Sequence, residues 1–370
     1  MQKSSSFIMN FAFFMLAIIL FFYGVIEARD FLYPIFFGVL IAYLLYPLVN
    51  FLEKHRIPRI IAILFSILLA ILVIGALVLV VFNQFDRLVS NFPAIRNQAL
   101  ANIENFRLTL ESLLGISIDN METVLKRMVS NLLQSSTALF NQVFTATAGT
   151  VFKIGIMPVY VFLFLFYRTK FAYFILKLTK EEYKLRTLII LRNIAKVATH
   201  YMGGVFFVVC ILCVINSFGL YIIGIRHAII LGILSAFFNF IPYFGTLLGG
   251  AVPLLYVLLT SGDPTDIIKV LALFAVIQFT ENNILTPNIV GSYVHINPFF
   301  IILGLIVGSI VWGIPGMLVV VPSLAIFKIV AHHVPKLEAF DFLLGMRGTR
   351  RHAFTFGNIR SRLNKMFGKQ

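Results

Sequence analysis

The sequence has 370 residues, of which 60% are hydrophobic and 12% are charged. Soluble domains average about 45–50% apolar and about 25% charged residues, so this composition excludes a soluble globular protein. It is typical of an integral membrane protein. The formal net charge is +15, and residues 168–196 and 328–370 carry +6 and +7 of it. Such clusters are typical of cytoplasmic segments of membrane proteins, and we expect no nucleic-acid partner.

Three apolar segments begin the chain, at 7–26, 31–50 and 60–81. Each is long enough to cross the hydrocarbon core of a bilayer, about 30 Å thick. The loop between the second and third segments contains Lys54, Arg56 and Arg59, which places it in the cytoplasm by the positive-inside rule. Because two spans return the chain to its starting side, the N-terminus is cytoplasmic too. Residues 1–84 are therefore predicted to form three transmembrane helices.

Residues 85–150 differ in pattern and are predicted to form an external amphipathic helical insert. Their charges balance, which removes the positive bias expected of a cytoplasmic segment. Apolar side chains recur at spacings of three and four, which predicts amphipathic helices. The first stripe consists of Leu88, Phe92, Ile95, Ala99, Ile103, Phe106 and Leu110, and a shorter one of Met121, Val124, Met128 and Leu132.

The remaining chain divides into three parts. Residues 151–200 are predicted to hold a fourth transmembrane helix, at 151–167, and a basic cytoplasmic segment. Residues 201–335 are predicted to form a transport core with apolar stretches at 203–225, 228–260, 267–286 and 299–331, and residues 336–370 a basic cytoplasmic tail. The fold class is thus an all-α polytopic membrane protein with about 8 spans and cytoplasmic termini. Whether 228–260 and 299–331 cross the membrane or fold back as re-entrant hairpins stays open.

Proline and glycine interrupt the apolar segments of the transport core. The predicted breaks involve Pro242, Gly245, Gly249, Pro287, Gly291, Gly313, Pro315, Gly316 and Pro322. Proline removes a backbone donor and glycine leaves helical geometry at low cost. Irregular backbone at membrane depth must be buried in protein or line a wet cavity. Paired interruptions therefore indicate discontinuous helices at a transport site, with simple kinks as the alternative.

A polar cluster stands out in the stretch 278–298. Glu281 is flanked by apolar sequence, and a carboxylate in the membrane is a candidate functional group. We expect Gln278, Glu281 and Asn282 to share one helix face, the helix to end before Pro287, and the cluster to form an oxygen-rich site for a proton or cation. The ion-coupling candidates are Glu281, Asn282, Gln278, Asn283 and Asn288. The alternative is an ion pair between Glu281 and Arg226 or Lys269.

Three further polar residues are candidates for the same cavity, namely Asn216, Asn239 and His295. The two asparagines have helix–helix hydrogen bonding as the alternative, and the histidine an interfacial position.

Three blocks carry a resemblance to a known family. They match I-P-x-x-G-x-x-x-G through Ile241 to Gly249, E-N-x-x-x-x-P-x-x-x-G through Glu281 to Gly291, and G-x-x-G-x-x-x-x-x-P through Gly313 to Pro322. The chain resembles the autoinducer-2 exporter-like family of bacterial membrane proteins, most strongly over 200–331. The resemblance implies a transporter without a nucleotide-binding domain, in the bacterial inner membrane. It also implies a homo-oligomer, with a pentamer as one candidate.

The predicted function is secondary transport. The resemblance implies export of a small polar molecule such as the autoinducer-2 signal, or of Na⁺ or Li⁺, in exchange for protons. The alternative is a passive pore or an oligomeric scaffold without ion coupling. No H-E-x-x-H, G-x-S-x-G or P-loop pattern occurs, so we expect neither an enzyme, nor a cofactor, nor a metal site.

Overall fold

In a computed structural model, described for residues 2–114, 127, 131, 148–242, 244–261, 263–290 and 296–346, every regular element is a helix. This confirms the predicted all-α class. Seven helical stretches in these ranges are long and apolar enough to cross a membrane, namely Met9–Glu27, Arg29–Lys54, Arg59–Ser90, Gly155–Leu178, Glu181–Ile223, Pro264–Ile289 and Ile314–His333. The eighth segment expected, 228–260, consists of two shorter helices instead.

The N-terminal part contains five long helices. They are α1 (Gln2–Glu27), α2 (Arg29–Lys54), α3 (Arg59–Ser90), α4 (Phe92–Leu114) and α5 (Ala148–Leu178). The turn between α2 and α3 has Arg56 in the left-handed region (φ 65°) and Pro58 in extended geometry just before α3. Proline is tolerated there because the first helical N–H groups need no intrahelical acceptor.

The C-terminal part contains longer and shorter helices. They are α6 (Lys184–Ile223), α7 (Ala228–Phe238), α8 (Phe244–Thr260), α9 (Pro264–Thr280), α10 (Thr286–Ile289), α11 (Pro298–Trp312), α12 (Ile314–His333) and α13 (Glu338–Leu344). A π-helical turn, Glu281–Leu285, joins α9 to α10. Single 3₁₀ turns lie at Glu181–Tyr183 and Pro335–Leu337. With 40 residues, α6 rises about 60 Å and therefore extends well beyond a bilayer core.

The chain divides into two compact units. The first comprises Met1–Ile175 and Thr199–Gly291, and the second Leu176–Ala198 and Ser292–Gln370. In the first unit, α2, α3 and α5 share an apolar core that includes Val49, Ile63 and Val161. A second core joins the end of α3, α4 and α7–α9 and contains Leu88 and Ile95 of the predicted amphipathic stripe. The second stripe, from Met121 to Leu132, falls outside the described ranges except for 127 and 131.

Helices α7 and α8 form a helical hairpin in the first unit. Its antiparallel packing is shown at both ends: the His227 and Tyr256 rings lie 6.1 Å apart, and a Cβ at Gly249 would lie 3.0 Å from the Ser235 carbonyl oxygen. The 11-residue α7 rises about 16 Å, too little to cross about 30 Å of hydrocarbon. The segment 228–260 therefore returns to the side on which it began.

Helices α11 and α12 form a second helical hairpin, in the second unit. Gly313 joins them with a φ of +66°, a conformation that favours glycine. A Cβ on Gly316 would lie 2.0 Å from the Gly308 carbonyl oxygen, so the two backbones are in direct contact. At the open end, the Asn297 N–H donates to the Leu344 carbonyl oxygen at 2.8 Å and holds the start of α11 beside α13.

Candidate functional site

The Glu281 side chain is buried at membrane depth. It is 8% exposed and lies at the junction between α9 and the π-helical turn. The Gln278 side-chain amide Nε2 donates a hydrogen bond to Glu281 Oε2 at 3.0 Å. Glu281 forms no ion pair within the described ranges, and Lys269 instead contacts Asp266 of its own helix at 2.9 Å. Arg226, the other basic partner considered for Glu281, is exposed.

The backbone at Pro287 differs from the expectation that the helix ends before this residue. Helical geometry continues through Pro287 to Ile289, and the widened π-helical turn Glu281–Leu285 comes just before it. A proline in a regular α-helix lacks one backbone donor and its ring clashes with the preceding turn. The wider turn accommodates the ring without ending the helix. Such π-helical turns inside α-helices occur frequently at functional sites.

The three neighbouring asparagines point away from the buried carboxyl. Asn282, Asn283 and Asn288 are exposed, whereas Gln278 is half-buried, so the expected shared face of Gln278, Glu281 and Asn282 is wrong for Asn282. The Asn283 amide donates to the Phe279 carbonyl oxygen at 2.8 Å, one turn back along the helix. The π-helical turn changes the residue spacing per turn, and for that reason the α-helical face did not transfer.

Helix α6 runs antiparallel to α9 and brings Asn216 near this site. A Cβ on Gly219 would lie 2.7 Å from Leu273, and one on Gly204 would lie 2.9 Å from Val290, which fixes the register at both ends. By that register Asn216 lies within about one turn of Gln278. Asn216 is 2% exposed, and its buried amide oxygen accepts no hydrogen bond in the described part of the chain.

The tip of the α7–α8 hairpin lies in the same region. Ala236 and Phe240 belong to one apolar cluster with Ile277 of α9 and Leu212 of α6. Pro242 lies in the break between α7 and α8. Thus the break in the hairpin and the Glu281 turn share a common apolar surround.

The tip itself is closed by Asn239 and Gly245. A Cβ on Gly245 would lie 2.2 Å from the Asn239 side-chain oxygen, so only glycine fits here. Asn239 is half-buried and stands at the end of α7, with its N–H bonded to the Ala236 carbonyl oxygen.

The other predicted break residues have mixed outcomes. Gly313 lies in the break between α11 and α12, with Pro315 and Gly316 in the first turn of α12. Helix α12 continues through Pro322, so no break occurs there. Transmembrane helices tolerate proline because neighbouring groups can satisfy the freed carbonyl. Gly291 and His295 lie outside the described residues.

One charged cluster was not anticipated from the sequence. Glu53 of α2 contacts Arg168 of α5 and lies 3.7 Å from Nε of Arg59, the first residue of α3. The sequence shows each charge, but no local pattern pairs residues more than a hundred positions apart.

Comparison with known proteins decides the family. The family model described as "AI-2E family transporter" matches residues 11–336. The chain belongs to this family. Membership and the apolar helices together make it a multi-pass membrane transporter of the bacterial cell membrane.

Three relatives illustrate the similarity. YrrI of Bacillus subtilis, named as a candidate transport protein, is 28% identical over 319 residues, or 82% of this chain and 87% of the relative. YhhT of Escherichia coli K12, also a candidate transport protein, is 25% identical over 314 residues (83% and 85%). The AI-2 transport protein TqsA of Escherichia coli K12 is 24% identical over 329 residues (87% and 91%).

Proposed function

We propose that this AI-2E family member is a secondary transporter in which Glu281 carries a coupling proton. It exports a small polar molecule of the autoinducer-2 kind, or Na⁺ or Li⁺, in exchange for protons. The observation that carries the proposal is the buried Glu281 carboxyl, whose recorded hydrogen-bond partner is the uncharged amide of Gln278.

The chemistry follows from the environment of this carboxyl. A charged carboxylate at membrane depth costs at least about 2.5–3.5 kcal/mol on insertion scales, and a basic partner would normally offset part of that cost. An amide donor stabilises the carboxylate only partly and leaves the second oxygen able to take a proton or a cation. Such a group alternates between two occupied states, which is what exchange requires.

The α7–α8 hairpin supplies the discontinuous element of the proposed site. Its ends lie beside the external helix α4, with Asn91 Nδ2 3.5 Å from His227 Nε2 and Asn102 Nδ2 3.1 Å from the Leu259 carbonyl oxygen. We infer that it enters the membrane from the outer side as a re-entrant hairpin. Its broken tip at 239–242 then offers free backbone groups near Glu281, in the manner of discontinuous transporter helices.

The substrate class rests on the relatives. TqsA is named an AI-2 transport protein, which supports a small polar signal as one substrate to test. We further propose a homo-oligomer, with a pentamer as the first state to test, by light scattering or native mass spectrometry of the detergent-solubilised protein.

The deciding experiment uses proteoliposomes with a pH-sensitive dye inside. Outward gradients of Na⁺, Li⁺ or autoinducer-2 are imposed one at a time, and proton movement is recorded for wild type, Glu281→Gln and Glu281→Asp. We expect proton movement with one substrate in wild type and none in Glu281→Gln. Glu182→Gln, which removes an exposed carboxylate, should behave as wild type.

Two outcomes would contradict the proposal. Proton movement by Glu281→Gln equal to that of wild type would remove Glu281 from the coupling role. Substrate flux that follows its own gradient and is indifferent to a protonophore would favour the passive pore.

A further inference from the structure

A charged cluster lies at one end of α2, α3 and α5 in the first unit, away from the Glu281 site in the sequence. Glu53 precedes the end of α2 by one residue, Arg59 begins α3, and Arg168 and Thr169 lie on α5. Arg168 Nη2 bonds to Glu53 Oε2, and Arg59 Nη2 donates to the Leu165 carbonyl oxygen at 3.1 Å and to Thr169 Oγ1 at 3.3 Å. We call these three charged residues the Glu53 cluster.

The Glu53 cluster carries an unbalanced charge and unused donors. Two guanidinium groups face one carboxylate, so the cluster has a formal charge of +1. Arg59 Nε and Arg168 Nη1 are both buried and donate no hydrogen bond in the described protein. Unused donors of this kind are costly unless a partner supplies acceptors. The missing partner is an anion with several oxygen acceptors.

The position of the cluster indicates where that anion comes from. By the positive-inside rule this end of α2 and α3 faces the cytoplasm, so the cluster lies at headgroup level of the inner leaflet. Phe51, Ile60 and Phe171, close by in sequence, are exposed apolar side chains suited to contact acyl chains. The Arg59 and Arg168 side chains remain 31% and 27% exposed, so a ligand can approach them from the membrane surface.

We propose that the Glu53 cluster is a binding site for the phosphate group of an anionic phospholipid in the inner leaflet. One phosphodiester charge neutralises the cluster, and its oxygens accept from the unused N–H groups of the two arginines. Guanidinium groups suit this role because their planar donors match phosphate oxygens in pairs. Arg168 Cζ also lies 5.2 Å from the centre of the Tyr46 ring, which holds the guanidinium in place.

The test measures lipid retention on the purified full-length protein by native mass spectrometry. Phosphatidylglycerol is compared with phosphatidylcholine, which carries no net charge, and inorganic phosphate is assayed separately by thermal shift. The variants are Arg59→Gln with Arg168→Gln, Arg59→Lys with Arg168→Lys, and the control Lys54→Gln. Lys54 is an exposed cation of the same turn, so the control removes one charge there and leaves the cluster intact.

We expect wild type and Lys54→Gln to retain phosphatidylglycerol over phosphatidylcholine, and the glutamine double variant to lose about tenfold or more in affinity. The lysine double variant keeps both charges and so preserves folding, but it should still bind several-fold more weakly because lysine lacks the planar donors. This variant decides the matter if the glutamine double variant does not fold.

Three results would overturn the proposal. In the first, the lysine double variant binds phosphatidylglycerol as wild type does. In the second, Lys54→Gln loses as much binding as the glutamine double variant, which would show diffuse charge rather than a built site. In the third, inorganic phosphate alone stabilises the protein as strongly as the lipid does, which would make free phosphate the ligand.

Discussion

Gln278 and Glu281 lie one helical turn apart in the chain, and the Gln278 amide donates to the Glu281 carboxyl at 3.0 Å. This pair stands at the start of the π-helical turn, where the backbone of the membrane helix changes its spacing. It joins a buried ionisable group to an irregular backbone segment, and both features are typical of functional sites in membrane proteins.

Replacing Gln278 by Leu should slow transport without abolishing it. The substitution removes the recorded donor to the carboxylate, so the charged form of Glu281 loses a hydrogen bond to a charged group, about 1.5–3 kcal/mol. Transport in proteoliposomes should fall about tenfold or more, while proton coupling persists. Gln98→Leu, on an exposed position of α4, serves as the control. A rate equal to wild type would show that the pair has no role in turnover.

Replacing Pro287 by Ala should separate stability from transport. Alanine restores the missing backbone donor and removes the ring, so the π-helical turn Glu281–Leu285 can return to α-helical spacing. The thermal unfolding temperature should stay the same or rise, while transport falls at least about tenfold because Glu281 is reoriented relative to the chain beyond it. Pro264→Ala, at the start of α9, is the control. Unchanged transport would contradict a working role for the turn.

Replacing Gly316 by Ala should destabilise the α11–α12 hairpin. A Cβ there would lie 2.0 Å from the Gly308 carbonyl oxygen, which is backbone and cannot turn aside. Overpacking of this kind costs about 1–3 kcal/mol and should lower the thermal unfolding temperature in detergent. Gly155→Ala in α5, where no atom lies within 4 Å of the new Cβ, should be neutral or slightly stabilising. Equal behaviour of the two variants would mean that the helices separate at little cost.

Acidification should weaken the outer contact between His227 and Asn91. Burial, followed by the charge of Arg226, lowers the pKa of His227 below its ordinary value of 6.5. The folded protein then binds this proton less readily than the unfolded chain does. The resulting stability is present above about pH 6.5 and is lost as the pH falls through the lowered pKa.

The measurement is thermal unfolding of wild type and His227→Gln across this pH range. Neutral His227 faces Asn91 and the Tyr256 ring, and glutamine keeps a polar group without a titrating proton. We expect wild type to lose more stability than the variant on acidification. Parallel curves for the two proteins would show that other groups cause the pH dependence.

Removing the Asn102 side chain should loosen the outer end of the hairpin. Its amide donates to the Leu259 and Ser261 carbonyl oxygens at 3.1 and 3.3 Å, beyond or at the last turn of α8. Asn102→Ala should cost about 1–2 kcal/mol locally and raise amide hydrogen exchange over residues 256–261. Asn97→Ala, at an exposed position of α4, should leave this exchange unchanged. If both variants exchange alike, α4 does not anchor the hairpin through Asn102.

The sequence by itself determined the solvent of this protein and most of its helices. Composition is a sum over residues, and hydrophobic stretches of about 20 residues indicate spans independently of their neighbours. The balanced charge and periodic stripe of the insert likewise predicted the buried positions of Leu88 and Ile95. Glu281 could be singled out for the same reason, because a carboxyl in apolar sequence is conspicuous whatever the fold.

Only the tertiary structure decided how these elements combine. The return of 228–260 as a hairpin rests on contacts such as His227 with Tyr256, which join residues far apart in the chain. The π-helical turn before Pro287 was not predictable either, because a proline can end, kink or widen a helix at similar cost, and packing against α6 selects among these. The pairing of Glu53 with Arg168 likewise requires α2 and α5 to be brought side by side, which local sequence does not specify.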